Sequence, residues 1–164
     1  MSFSISSIIE RIDENQIFVP AFQREYVWNK DNAKELIDSL IKDYPFGTML
    51  SWDTNSPPKL KGNHKYNSSQ GAIKIILDGQ QRITTLYLLI TGKVPPYYKE
   101  DEIKHNVRDL YVHLLDLELS YFKRTIMENS PFWVNITDIF KKEIDLFVIL
   151  EKYREQNGND LERD

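Results

Sequence analysis

The sequence predicts an α+β fold, and three stretches carry that prediction. At Ile73 to Gly92 a strand signal passes into a helix signal with no residues to spare. Between Ala33 and Ile41 the apolar residues recur at helical spacing, and Leu110 to Leu117 is a nearly continuous apolar run of strand type. In the first stretch, Ile73, Ile75, Ile76 and Leu77 form a β-branched run bounded by Gly71 and Asp78-Gly79, which reads as a mostly buried strand. The period then changes. Ile83, Leu86, Tyr87 and Ile90 fall at i, i+3, i+4 and i+7, predicting a helix with one apolar face that closes at Gly92.

The other elements follow in chain order. Ser7-Ile8-Ile9-Glu10 has the spacing of a capping box, so a short helix is expected from Ile8 with Ile8, Ile9 and Ile12 on one side. Gln16 to Pro20 reads as a short extended piece, because Pro20 biases Val19 away from helix. Ala21 to Trp28 mixes large aromatics with Gln23, Arg24 and Glu25 in no clean period, as a loop lining a pocket would. Asn29 or Asp31 is expected to cap a helix that buries Ala33, Leu36, Ile37, Leu40 and Ile41. Tyr44 to Gly47 breaks it, and Thr48 to Trp52 reads as a strand ending before Asp53.

Asp53 to Gly71 is polar and punctuated by Pro and Gly, which predicts a long loop or a loosely held hairpin. Its lysines, Lys59, Lys61 and Lys65, read as a solvated face, with a phosphate-steering lid as the sharper alternative. Val94 to Lys104 is a second irregular connection. Phe132 to Ile136 reads as a strand, followed by a helix from about Ile139, capped by Thr137 or Asp138, that continues with one break to Tyr153. A polar tail from Gln156 to Asp164 ends without a stop signal, so the expectation is a piece of a longer chain.

At 164 residues with 41% hydrophobic content, one domain over 1–164 with a substantial core is expected. A net charge of −4 argues against a broadly basic nucleic-acid surface while leaving room for a local positive cleft. There are no cysteines, which removes thiolate metal sites and Cys nucleophiles, and no apolar run long enough to span a bilayer. A cytoplasmic protein without membrane partners is expected. His64, His105 and His113 lack the spacing of a zinc site, and no phosphate-binding GxxxxGK[ST], HExxH or GxSxG motif is present.

Chemistry concentrates at Gly79-Gln80-Gln81-Arg82, which the pattern places at a helix N-terminus. Unpaired backbone N–H groups and the positive end of the helix dipole favour an anion there, and an arginine adds a charged fork suited to phosphate oxygens. The plainer reading is a tight connection with a surface arginine. Asp78 and Glu25 are carboxylates able to bind Mg²⁺ or orient a water, but an Asp before a Gly is also an ordinary turn residue.

Four blocks carry a family resemblance: Phe18 to Trp28, the Leu36 to Leu40 helix, Tyr44 to Trp52, and Asp78 to Leu86 with its Asp-Gly-Gln-Gln-Arg core. In that order over 18–92 they resemble the N-terminal domain of GmrSD-type restriction proteins. The resemblance implies a ParB/sulfiredoxin-like fold, a small mixed sheet packed with helices. It also implies a phage-defence role in which this domain binds and hydrolyses a nucleoside triphosphate with Mg²⁺. A separate C-terminal HNH-type nuclease domain, missing from this chain, would cut modified or foreign DNA, so this domain is not itself expected to be an HNH nuclease.

Carried over by matching letters, Gly79 and Gln80 offer phosphate contacts, and Arg82 neutralises phosphate charge. Gln81 orients a nucleotide group or water, while Arg24 is the second cation with Gln23 beside it. Asp78 holds the metal or fixes the turn. The catalytic expectation therefore falls on Arg82, Asp78 and Gln81, and nucleotide binding on Gln23, Arg24 and the Gly79 to Arg82 run. Tyr26 and Trp28 are expected as core and wall. Phe22 stands where many relatives carry Tyr, and Gln80 where ParB-type CTPases carry an acid. The alternative function is a non-catalytic module recognising DNA phosphate or a modified base, and a third is a structural domain mediating assembly, with a homo-oligomer as the expected form.

Overall fold

The computed structural model describes residues 4–62 and 64–157, with the side chains of 146, 156 and 157 left aside. The polar tail from 158 onward lies outside the described residues. Six helices and two three-stranded sheets are found among the described residues, an α+β architecture. The helices are α1 (Ile5–Asp13), α2 (Lys30–Ile41), α3 (Gln80–Thr91), α4 (Arg124–Met127), α5 (Ile136–Lys141) and α6 (Leu146–Asn157). The strands are β1 (Ile17–Phe18), β2 (Leu50–Thr54), β3 (Ile73–Asp78), β4 (Leu110–His113), β5 (Leu119–Tyr121) and β6 (Trp133–Asn135).

The first sheet has the order β1-β3-β2, with β1 parallel and β2 antiparallel to the central strand. Alternate residues of β3 point to opposite faces. Ile76 enters the larger core, whereas Ile73 and Ile75 meet Phe18, Leu60 and Tyr66 in a smaller cluster. Burial on both faces explains why this strand reads as a continuous apolar run. The second sheet, β5-β4-β6, is antiparallel throughout.

Helix α3 is the axis of the molecule. The expected single apolar face is too modest, because Thr84 and Thr85 on its other side are also fully buried. Thr85 Oγ1 lies 2.8 Å from the Tyr26 hydroxyl and donates to the Gln81 carbonyl, and Thr84 Oγ1 lies 3.2 Å from the Tyr97 hydroxyl. Small hydroxylated side chains thus let a helix be enclosed on all sides with those hydroxyls paired. Its C-terminal end packs on α5, where the Thr137 hydroxyl donates to the Leu89 carbonyl at 2.6 Å.

Several boundaries differ from the sequence expectation. Helix α1 begins at Ile5, capped by Ser4, whose hydroxyl accepts from Ser7 N–H at 3.2 Å; the Ser7-to-Glu10 spacing lies inside its first turns. Ile41, expected in the buried stripe of α2, is 37% exposed at the last turn. Strand β2 starts only at Leu50, because the carbonyls of Phe46 and Thr48 are taken by a side chain instead of a sheet ladder, and it includes Asp53, which pairs with Lys74 of β3. The Leu110 to Leu117 run divides into β4 and a turn leading to β5. Leu117 has φ +62°, and Asp116 Oδ1 accepts from Glu118 N–H at 3.0 Å, which reverses the chain and leaves Leu115 and Leu117 exposed. Near the end, Asn135 caps α5 one turn earlier than expected, accepting from Thr137 N–H at 2.8 Å, and Lys142 at φ +59° separates α5 from α6.

Candidate functional site

Strand β3 delivers the chain to Gly79, whose φ of +91° allows an abrupt entry into α3. No side chain of the described residues caps this helix, and its first backbone hydrogen bond runs from Ile83 N–H to the Gly79 carbonyl at 3.0 Å. The N–H groups of Gln80, Gln81 and Arg82 precede that bond and are the donors a helix leaves unused at its start. On the other side of β3, the parallel strand β1 runs in the same direction and releases its chain into the loop of Gln23, Arg24 and Glu25. Gln23 ties that loop to the sheet by donating from Nε2 to the Leu77 carbonyl at 2.8 Å. Two segments more than fifty residues apart in sequence therefore meet at one sheet end.

Between them lies a cleft of about 150 Å³ lined by Gln23, Arg24, Trp28, Asp78, Gly79, Gln80, Gln81 and Arg82. The seven residues singled out from the sequence are all here, with Trp28 as a wall; Tyr26 lies behind, fully buried. Burial pushes the Tyr26 phenol up to about 12, with the Thr85 hydrogen bond acting in the opposite sense, so it remains a neutral core group.

The side chains do not share the cleft equally. The Arg82 guanidinium donates to the carbonyls of Phe46, at 2.9 Å, and Thr48, and reaches Asp78 Oδ2 at 3.2 Å. Three of its five N–H groups are thereby engaged, and it fastens the α2–β2 connection to the head of α3. Gln81 is buried and similarly occupied. Its Oε1 accepts from Val27 N–H at 2.9 Å and its Nε2 donates to the Glu25 carbonyl at 3.0 Å, so its amide braces the facing loop. Gln80 donates from Nε2 to the Tyr98 hydroxyl, which in turn donates to the Arg24 carbonyl at 3.3 Å. Burial first, then the nearby Glu25, hold the Tyr98 phenol well above its usual range.

Arg24 is different. Its side chain is exposed at the cleft and makes no hydrogen bond or ion pair with other described residues. Asp78 is 69% exposed on its side chain, with one oxygen engaged by Arg82. No cluster of three or more His, Asp or Glu side chains suited to a metal occurs among the described residues.

The sequence of this site matches a known family over nearly the whole chain. The profile of the N-terminal domain of the GmrSD restriction endonucleases aligns with residues 5–163. The chain belongs to this family. A relative, the uncharacterized protein MJ0686 of Methanocaldococcus jannaschii, is 31% identical over 96 residues, 53% of this chain. The chain spans only 17% of that relative's length. Members of this family are N-terminal domains of restriction endonucleases. No helix among the described residues of this GmrSD N-terminal domain is long and apolar enough to cross a membrane.

Two residues of the site escaped the sequence reading. Lys61, read there as a solvated or lid residue, is buried, and Tyr98, placed in an irregular connection, is bonded to Gln80 and to the Arg24 carbonyl. An adjacent pair of tyrosines after two prolines was the available signal for a buried anchor in that connection.

Proposed function

We propose that this domain binds and hydrolyses a nucleoside triphosphate, and thereby regulates a restriction protein whose nuclease acts on modified or foreign DNA. The observation that carries the proposal is the pairing, in one cleft, of an uncapped helix N-terminus with the uncommitted guanidinium of Arg24. Both are donors without acceptors, and phosphate oxygens are the ligand that satisfies them together. The cleft is smaller than the roughly 300 Å³ at which pockets for whole organic ligands begin. It suits a polyphosphate chain, with sugar and base lying over the rim near Trp28.

In this reading Arg24 supplies the mobile charge and the amides of Gln80 to Arg82 the fixed dipoles. Arg82 holds the geometry while adding its own positive charge. Phosphoryl transfer depends mainly on such positioning and charge stabilisation, so no nucleophilic side chain is required. Asp78 fits Mg²⁺ as a single carboxylate ligand, because magnesium is commonly held by one or two carboxylates together with substrate phosphates and water. When bound, the ion would neutralise charge between phosphate groups.

The test is calorimetric titration of the protein with ATP, GTP, CTP and UTP, each with and without Mg²⁺, alongside phosphate-release assays. One nucleotide should bind in preference, and Arg24→Ala should weaken its binding by about ten- to a hundredfold and slow phosphate release. Absence of nucleotide binding, accompanied by DNA affinity that falls steeply with salt, would replace this reading with a DNA-binding module.

A further inference from the structure

Lys61 stands in the connection between β2 and β3, brought beside the loop of the cleft by backbone pairing. Ala21 N–H donates to the Lys59 carbonyl and Lys61 N–H to the Val19 carbonyl, each at 2.8 Å. The lysine is 7% exposed, a rare depth for an ammonium group. Its three N–H donors have three acceptors, all from one tripeptide: the Gln23 carbonyl at 3.0 Å, the Arg24 carbonyl at 3.1 Å and Glu25 Oε1 at 3.0 Å. The Tyr98 ring lies beneath the ammonium, 4.8 Å from nitrogen to centroid.

We propose that Lys61 is a positioning residue for the cleft, fixing the path of the Gln23–Glu25 backbone and so the direction in which Arg24 presents its charge. This rests on the reading of Arg24 as the phosphate-facing cation. The loop forms no strand or helix of its own. A burial this costly contributes little to net stability, since desolvation of the charge offsets most of the attraction. What it does supply is geometry: successive carbonyls drawn to one point fix the backbone from which the Arg24 side chain extends. The Arg24 carbonyl takes a second bond from Tyr98, so the residue bearing the free guanidinium is held at its carbonyl by two side chains.

The experiment is a double-mutant cycle read by calorimetric titration with ATP and Mg²⁺, using Lys61→Met, Arg24→Ala and the pair. A residue that acts through Arg24 gives a non-additive cycle: Lys61→Met alone weakens binding about tenfold, yet adds almost nothing on top of Arg24→Ala. An additive cycle overturns the proposal. Should Lys61→Met fail to fold, Lys61→Arg serves instead. It retains the charge, but its planar fork does not match three acceptors gathered around one nitrogen. Severalfold weaker binding then supports positioning, and wild-type affinity overturns it. Hydrogen exchange over 21–27 judges the clasp without any ligand. Faster exchange there in the variant, with α3 unchanged, upholds it even where the wild-type protein binds no nucleotide and the functional reading alone fails. Unchanged exchange in that segment overturns it.

Discussion

A methyl group on Gly47 would stand 1.8 Å from Nη1 of Arg82. The glycine, at φ +95°, lies between Phe46 and Thr48, whose carbonyls accept from that same guanidinium. The Tyr-Pro-Phe-Gly segment therefore works as a socket for an arginine from α3. Gly47→Ala should displace the guanidinium from both carbonyls and from Asp78, costing about 1.5–3 kcal/mol for the loss of charged hydrogen bonds. Urea denaturation measures this, and a variant as stable as the wild type would show that the socket is not needed.

Arg24 and Arg82 should separate cleanly under mutation. The Arg24 side chain is exposed and has no partner among the described residues, so Arg24→Ala is expected to alter stability by no more than about 0.5 kcal/mol. Arg82, 18% exposed on its side chain, anchors two carbonyls and a carboxylate, so Arg82→Ala should lower stability by about 1.5–3 kcal/mol. Thermal melts of the two variants without ligand check this. Equal melting temperatures would contradict the division of labour.

That division marks where reading the sequence stops. The strand, turn and helix at Ile73 to Gly92 were legible because the apolar period changes from two to 3.6 at a glycine, a purely local signal. The loop of Gln23 and Arg24 stood out by composition, and the family blocks tied it to the helix start. What these residues bond to was not legible. Lys61 reaches Arg24 across 37 positions and Tyr98 reaches it across 74, and no periodicity encodes a side chain's choice of a distant carbonyl. The same limit applies to Thr84 and Thr85, polar by type and buried because Tyr26 and Tyr97 meet them from elsewhere in the chain.

Gln81 gives a third test. Its amide serves Val27 N–H and the Glu25 carbonyl at once, which needs both a donor and an acceptor. Gln81→Glu keeps the acceptor, replaces the donor with an oxygen facing a carbonyl, and adds negative charge to a cleft built for phosphate. The variant should lose about 1–3 kcal/mol of stability and should bind no nucleotide. Urea titration and calorimetry measure the two effects, and nucleotide binding at wild-type strength would show that Gln81 faces the ligand less closely than its place in the cleft implies.

His64 should make stability depend on pH. It is buried against the Phe18 ring, with ring centroids 4.3 Å apart, and neither imidazole nitrogen has a well-formed hydrogen bond to another described residue. Burial lowers its pKa from 6.5, outweighing the Ile12 backbone and the Asp13 carboxylate, which favour protonation. Below that value the unfolded chain takes up the proton before the folded one does, so the unfolded state binds more protons and stability falls with pH. The contribution is fully present above about pH 6.5 and is lost as the pH drops through the depressed folded value, with a slope of at most about 1.4 kcal/mol per pH unit. The carboxylates held low, Glu100 and Asp116, start from 4.5 and 3.8 and act in a more acidic range. Urea denaturation between pH 7.5 and 5.5 should therefore show a decline that His64→Phe flattens. A variant that declines as steeply as the wild type would assign the pH dependence to other groups.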